Sequence, residues 1–177
     1  MVISNAIPRC HSYWQPLAQD VYKLNFDAAI FSDMNCSGVG AIVQNHAGEV
    51  MADMSAKGEY VHNSDEAEVL ACHKALEFAM EAGFSNLVIE GDNSNVIRAL
   101  LASTVNNSLY GHVVGDIRSH FSSWQFVGLS CVKREGNMVA HPLARFARNI
   151  VDALYWMEDE PPPVVDVLHY DRLHINE

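Results

Sequence analysis

The sequence lacks the features that define several large classes of protein. No stretch approaches the roughly 18 consecutive apolar residues that a membrane-spanning helix requires, so we expect no membrane partner. The four cysteines include no C-x-x-C pair, and none of the nine histidines lies at zinc-ligand spacing from a cysteine or another histidine. We therefore expect no structural zinc site. The chain also has no internal repeats.

Positively charged residues are scarce. The chain has 11 Lys and Arg against 22 Asp and Glu, which gives a formal net charge of −11. Non-specific affinity for nucleic acid depends on Lys and Arg side chains that displace counterions from phosphates. The charge therefore excludes a protein that grips nucleic acid through a broad basic surface. A nucleic-acid partner must be held locally or through metal ions.

What is present fits one globular domain. The 177 residues are 49% hydrophobic, enough for a domain with its own core. We expect an irregular leader over residues 1–20, the domain over residues 21–156, and an acidic, proline-containing tail over residues 157–177.

The amino terminus and the cysteines give an expectation about the compartment. The first residues have no basic segment followed by an apolar one, the pattern typical of a secretory signal. We therefore expect an intracellular protein, in the nucleus or the cytoplasm, that is not secreted. The cysteines are widely scattered at positions 10, 36, 72 and 131 and are expected to be reduced structural thiols.

Hydrophobic periodicity predicts the element order βββαβα(α)βα. The polar, glycine-containing turn at residues 45–48 favours a tight hairpin between the second and third strands. The expected strands are residues 21–27, 38–43, 49–55, 86–91 and 125–133, and the expected helices are residues 64–82, 93–102, 109–121 and 137–154.

Three acidic residues lie where such elements would bring them together. Asp27 ends a first strand in which apolar residues alternate with polar ones, as a half-buried strand requires. Glu68 lies on the alanine-rich apolar face of the first helix, and Asp92 follows the fourth strand. Carboxylates on buried faces are costly unless they are paired or bind metal. The three predict a metal-binding carboxylate pocket.

Each acid also has an ordinary structural interpretation. Asp92 could cap the helix that follows it, and Glu68 could be the partner of an Asp65 cap in an approximate capping box. Other polar residues are interpreted as solvated loop and hairpin positions, namely Asp33, Asn35, Glu49 and Asp53.

Four motifs, in order and at matching distances, resemble a known family. They are residues 23–29 (KLNFDAA), 67–76 (AEVLACHKAL), 89–94 (IEGDNS) and 132–144 (VKREGNMVAHPLA). Together they are similar to the plant ribonuclease-H-like domain, a type 1 ribonuclease H fold related to the reverse-transcriptase-associated ribonuclease H of retroelements. The resemblance covers residues 14–163 and implies an α/β fold with a five-stranded mixed sheet flanked by helices.

The resemblance also implies an activity. Members of this family are metal-dependent endoribonucleases that cleave the RNA strand of RNA–DNA hybrids with two divalent ions, Mg²⁺ or Mn²⁺. Carried over to this chain, Asp27 would bridge both ions while Glu68 and Asp92 complete the sites. The candidate contacts to the hybrid are three further residues, Asn93, Lys133 and Arg134, although a surface role is an equally good interpretation of Lys133 and Arg134.

The chain departs from the family pattern at His141. Active members carry a fourth acid at this position, in the first turn of the last helix, and an imidazole is not a hard anionic ligand. His141 is either a doubtful catalytic residue or a helix N-terminal residue with a local hydrogen bond. The link at residues 133–137 also lacks the histidine that bacterial and animal enzymes carry on a mobile loop there. Residues 102–110 carry no Lys or Arg, so the basic substrate-binding protrusion of some bacterial members has no counterpart. The alternative function is therefore a catalytically impaired module that binds nucleic acid or a protein partner.

Overall fold

The computed structural model describes residues 17–175, apart from the side chains of residues 126, 127 and 171–175. Most of the expected leader lies outside the described residues. None of the helices in the described part is long and apolar enough to span a bilayer. The elements are β1 Tyr22–Phe31, β2 Cys36–Gln44, β3 Val50–Gly58, α1 Ser64–Glu81, β4 Asn86–Gly91, α2 Ser94–Leu101, α3 Gly111–His120, β5 Phe126–Cys131, α4 Ala140–Phe146, β6 Ala153–Met157 and α5 Val165–Ile175.

The sheet has six strands in the order β5-β4-β1-β2-β3-β6. The β1, β2, β3 and β6 strands form an antiparallel meander-like half, and β4 and β5 run parallel to β1. The expected α/β class with a mixed sheet is confirmed. The strand count differs from the expected five because β6 pairs with β3 at one edge.

The last predicted helix, residues 137–154, is wrong in extent. The α4 helix ends at Phe146, a single 3₁₀ turn follows at Ala147–Asn149, and β6 begins at Ala153. Two β-branched residues, Ile150 and Val151, follow the 3₁₀ turn and favour extended backbone. The free edge of β3 then supplies hydrogen-bonding partners that outweigh helical propensity in this segment.

Helices cover both faces of the sheet. The main core lies under α1, α2 and α3, where alternate residues of β1 to β4 meet the apolar faces of the helices. A second cluster lies on the opposite face under α4 and α5 and contains Ile42, Val50, Val139, Leu143, Val164 and Leu168. The expected tail therefore contains a helix that buries aliphatic side chains against the sheet. The domain boundaries stay a prediction.

The α4 helix lies unusually close to β2 because glycines face it. A Cβ atom added at Gly38 would lie 2.2 Å from the carbonyl oxygen of Ala144, and one added at Gly40 would lie 2.3 Å from that of Ala140. Neither distance is sterically possible, so only glycine fits at these positions. Gly40 pairs with Asp27 in the sheet, so the first turn of α4 rests beside that acid.

The expectation that Asp53 is solvated is wrong. Its side chain is fully buried, and neither carboxylate oxygen accepts a hydrogen bond within the described part of the chain. It is paired across the sheet with Ile42 and Trp156, on the face covered by the second cluster. Removal from water raises the pKa of Asp53 to about 8, and the negative charge of Asp159 adds to this effect.

The expectation of reduced cysteines is confirmed at two of the three described positions, and Cys10 lies outside the described residues. Cys36 and Cys72 are free thiols, and burial raises the pKa of Cys72 far above its usual range. Cys131, at the end of β5, is disulfide-bonded, which contradicts the expectation for that residue. The widely spaced cysteines gave no local pattern from which a bridge could be predicted.

Candidate metal centre

Sheet register places Asp27 beside Asp92. The parallel β1 and β4 strands are in register from Tyr22 and Leu87 to Asn25 and Glu90. Asp27 and Asp92 each lie two residues beyond the last pair, at the carboxyl end of β4. Because β4 ends there while β1 continues, the amide of Ala28 has no β4 partner and donates instead to Asp27 Oδ1, at 2.9 Å.

The third acid reaches the same point from α1. Glu68 is 7% exposed, and its Oε1 accepts a hydrogen bond from the Ala28 amide at 3.2 Å. One carboxylate oxygen from each of Asp27, Glu68 and Asp92 can be chosen so that all three lie within 4.8 Å of one another. They are the only such group of three His, Cys, Asp or Glu side chains among the described residues.

The ordinary interpretations of Glu68 and Asp92 are wrong. The N-cap of α1 is Asn63, whose side chain accepts from the Glu66 amide at 2.9 Å, while Glu66 accepts from the His62 amide at 2.6 Å. Asn63 and Glu66 have the spacing of a capping box, displaced by two residues from the predicted one, but Glu66 accepts from the residue before the N-cap. The N-cap of α2 is Asn93 rather than Asp92. Neither acid is therefore used to cap a helix.

The surroundings of Glu68 and Asp92 disfavour their charged forms. Burial raises the pKa of Glu68 to about 10, and the nearby carboxylates of Asp27 and Asp92 raise it further. Burial also raises the pKa of Asp92, as does the charge of Asp27, although the positive charge of Arg134 opposes both effects. Glu68 therefore requires a compensating positive charge nearby to be ionised at neutral pH.

A divalent cation fits this cluster. Glu68 Oε2 is buried and accepts no hydrogen bond within residues 17–175. An orphaned carboxylate oxygen beside two further carboxylates matches the hard oxygen ligands that Mg²⁺ and Mn²⁺ prefer. The cluster opens into a cavity of about 550 Å³, which gives solvent and substrate access to the acids.

His141 contacts the cluster directly. Its Nδ1 lies 2.6 Å from Asp27 Oδ2, and its Nε2 lies 3.3 Å from Arg134 Nη2. Because a guanidinium group only donates hydrogen bonds, Nε2 accepts from Arg134 and Nδ1 carries the hydrogen that is donated to Asp27. The side chain is thus more than a local helix-terminal residue, since it links α4 to the first acid.

The predicted substrate contacts fall in different places. Arg134 and Asn93 both line the cavity. The Asn93 oxygen accepts from the amides of Asn95 and Val96, and its nitrogen donates to Asp65 Oδ1 at 2.7 Å. Lys133 is exposed but is not part of the cavity wall. The structure therefore brings two of the three predicted residues to the acids.

Sequence reasoning missed a buried polar network beneath the site. Lys23 and Asn25 are 1% and 4% exposed, so β1 is buried on both faces rather than half-buried. Lys23 Nζ lies 3.4 Å from Glu90 Oε1, and Asn25 donates to Glu90 Oε2 at 3.1 Å and to Asn137 Oδ1 at 3.3 Å. The detectable signal was Glu90, a charged residue at the end of the apolar run in β4.

The fold and the acidic cluster define a ribonuclease H-like domain. Its sheet order, its helices on both faces and its three acids at the meeting point of β1, β4 and α1 carry that assignment. The model of the reverse transcriptase-like family matches residues 25–147, and the chain belongs to this family. The resemblance found in the sequence is confirmed at this level.

Solved structures share the fold at low sequence identity. Ribonuclease H1 from the archaeon Halobacterium salinarum is 23% identical with a TM-score of 0.66, covering 73% of this chain and 98% of the other. LC11 ribonuclease H1 from compost, solved in complex with an RNA/DNA hybrid, is 17% identical with a TM-score of 0.62, covering 72% and 96%.

A viral domain gives the same result. The ribonuclease H domain of prototype foamy virus is 19% identical with a TM-score of 0.56, covering 75% of this chain and 95% of the other. No curated protein sequence matches the chain. At these identities the solved structures establish the fold.

Proposed function

We propose that this protein is a metal-dependent endoribonuclease that cleaves the RNA strand of RNA–DNA hybrids. The observation that carries the proposal is the convergence of Asp27, Glu68 and Asp92, with Glu68 Oε2 buried and without a hydrogen-bond partner among the described residues. A buried carboxylate oxygen without a donor is costly, and a bound cation removes that cost. The ribonuclease H-like fold supports a role in nucleic-acid hydrolysis or binding.

The three acids would hold the cation, and the chain's own residues would position the substrate. A divalent ion in such a site activates water and stabilises the leaving oxygen of a phosphodiester. Arg134 lines the cavity beside Asp92, where its guanidinium group can contact a phosphate oxygen of the RNA strand. This local contact suits a protein whose overall charge repels nucleic acid.

Discrimination between RNA and DNA needs polar groups at the minor groove. Ser64, Ser94 and Asn95 line the cavity beside the acids. Their hydroxyl and amide groups can bind a 2′-hydroxyl, which is both a donor and an acceptor and is absent from DNA. We assign selectivity for the RNA strand to these three residues rather than to base-reading side chains.

A cleavage assay tests this function. Labelled RNA–DNA hybrid, RNA duplex, DNA duplex and single-stranded RNA of one sequence would be incubated with Mg²⁺, Mn²⁺ or a chelator. We expect cleavage of the RNA strand in the hybrid alone, and only with metal. Cleavage that persists with the chelator, or equal cutting of all substrates, would contradict the proposal.

The second candidate function is a binding module that does not cut. The observation that favours it is the 2.6 Å contact between His141 and Asp27, which occupies a carboxylate oxygen at the centre of the site. The same assay separates the two functions if binding of the hybrid is measured by fluorescence anisotropy. Metal-dependent binding without cleavage would favour the module.

A further inference from the structure

Position 141 is where a second metal ion would need its own ligand. In the two-metal arrangement expected from the family resemblance, Asp27 bridges the ions and a fourth acid helps to hold the second one. Here His141 occupies the position of the fourth acid, beside Asp27 at the first turn of α4. The question is whether this histidine can replace the acid as a ligand.

Both ring nitrogens of His141 are already used. Nδ1 donates its hydrogen to Asp27 Oδ2, and Nε2 accepts a hydrogen bond from Arg134 Nη2. A histidine binds metal through the lone pair of a ring nitrogen that carries no hydrogen. Neither nitrogen offers a lone pair to an ion beside Asp27, and the Asp27 oxygen that would face such an ion accepts the Nδ1 hydrogen instead.

The positive charge of Arg134 also disfavours a second metal ion beside Asp27. The guanidinium group of Arg134 carries a positive charge and lies on the far side of the imidazole from Asp27. A second divalent ion beside Asp27 would lie close to this positive charge. The first ion does not depend on the imidazole for a ligand, because Glu68 Oε2 has no hydrogen-bond partner among the described residues and belongs with Asp27 and Asp92 to the one carboxylate group.

We infer that this site binds a single divalent cation, and that Arg134, linked to Asp27 through His141, stands in place of the second ion. The inference rests on the proposed function, because it concerns the metal site of that reaction. It departs from the two-metal expectation drawn from the sequence. His141 is a positioning residue that holds Asp27 and Arg134 together, and Arg134 is the group that would touch the phosphate.

Counting bound Mn²⁺ tests the inference without relying on activity. Electron paramagnetic resonance would be recorded with Mn²⁺ alone, and again with an unmodified hybrid in samples frozen directly after mixing, while the RNA strand is still intact. The variants are His141→Asp and, as a control, His112→Asp at an exposed position on α3. Two ions about 4 Å apart give a magnetically coupled spectrum that a single ion cannot give.

We expect one uncoupled Mn²⁺ per chain in the wild type and in His112→Asp, with and without the hybrid. His141→Asp should bind two ions and show the coupled spectrum in the presence of the hybrid. Two ions in the wild type would overturn the inference and leave the proposed function intact, and a single ion in His141→Asp would overturn it as well. No bound ion in the wild type would overturn the proposed function and the inference together.

Discussion

Asn25 and Asn137 are in hydrogen-bonding contact, with 3.3 Å between Asn25 Nδ2 and Asn137 Oδ1, although 112 residues separate them in the chain. Asn137 also donates to the Phe26 carbonyl oxygen at 2.8 Å. It ends the 3₁₀ turn Arg134–Asn137, so these two hydrogen bonds tie the turn to β1. The position of Arg134 at the site therefore depends on the buried side chain of Asn137. The hydrogen bonds described for that side chain do not involve Asp27, Glu68 or Asp92.

Asn137→Ala should loosen this turn. The change removes two buried hydrogen bonds, and we expect the free energy of unfolding to fall by about 1–3 kcal/mol in urea denaturation. Hybrid cleavage per folded molecule should fall as well, because Arg134 loses its support. Asn107→Ala, in an exposed loop, is the control. Unchanged cleavage in a destabilised but folded Asn137→Ala variant would mean that the network is structural only.

Asp27→Asn should stabilise the protein without metal and remove its response to metal. The neutral amide removes the negative charge that opposes ionisation of Glu68 and Asp92, so the melting temperature in chelator should rise. Wild type should gain stability with Mg²⁺ by mass action, and the variant should not. Differential scanning fluorimetry measures both effects, with Asp116→Asn on α3 as a control. Equal Mg²⁺ shifts in wild type and Asp27→Asn would show that the ion binds elsewhere.

Asp53→Asn should change how stability depends on pH. The folded-state pKa of Asp53 is raised from 3.8 to about 8, so the folded state holds this proton more tightly than the unfolded chain. The contribution of Asp53 to stability is therefore fully present below about pH 4 and is lost as the pH rises toward 8. Asparagine does not titrate, so the stability of the variant should rise relative to that of the wild type as the pH increases from about 4 to 8.

Urea denaturation at pH 5, 7 and 9 measures this effect. The difference in unfolding free energy between Asp53→Asn and wild type should grow with pH, since Glu68 titrates in both proteins and cancels. Asp20→Asn, at an exposed position, should show no such trend. A difference that stays constant from pH 5 to pH 9 would mean that Asp53 has an ordinary pKa.

Glu68→Gln and Asp92→Asn should each abolish most cleavage. Both substitutions preserve shape and remove a carboxylate from the cluster, so hybrid cleavage at saturating Mg²⁺ should fall at least about 100-fold. Circular dichroism should show an unchanged fold. Glu81→Gln, at the exposed end of α1, should cleave like the wild type. Retained cleavage in either site variant would locate the activity in another group or in a contaminant.

The sequence predicted the elements whose pattern is local. The α1 helix was predicted over residues 64–82 and is observed at Ser64–Glu81. The prediction succeeded because alanines recur at helical spacing along one face and polar residues mark the start of the helix. Asp92 was recognisable because it follows a strand, and Glu68 because it breaks an apolar face. Asp27 was recognisable at the end of an alternating run, although the predicted end of the strand at residue 27 is wrong, since β1 continues to Phe31. The convergence of the three acids then followed from the element order.

What could not be predicted depends on distant partners. The strand Ala153–Met157 exists because β3 has a free edge, which a local pattern does not reveal. Lys23 and Asn25 alternate with apolar residues as solvent-facing residues would, and contacts with Glu90 and Asn137 help to make their burial tolerable. The prediction that Asp53 is solvated failed for the same reason, because α4 and α5 cover its face of the sheet.

The glycines of β2 determine how this domain can change during evolution. With no side chain between β2 and α4, the two main chains are in direct contact at Gly38 and Gly40. The Cα position of residue 141 is thus set by backbone geometry and is independent of the chemistry of its own side chain. An exchange of acid for histidine at this position can therefore alter what the site binds while the scaffold stays the same, whereas a single methyl group added at Gly40 would displace the helix.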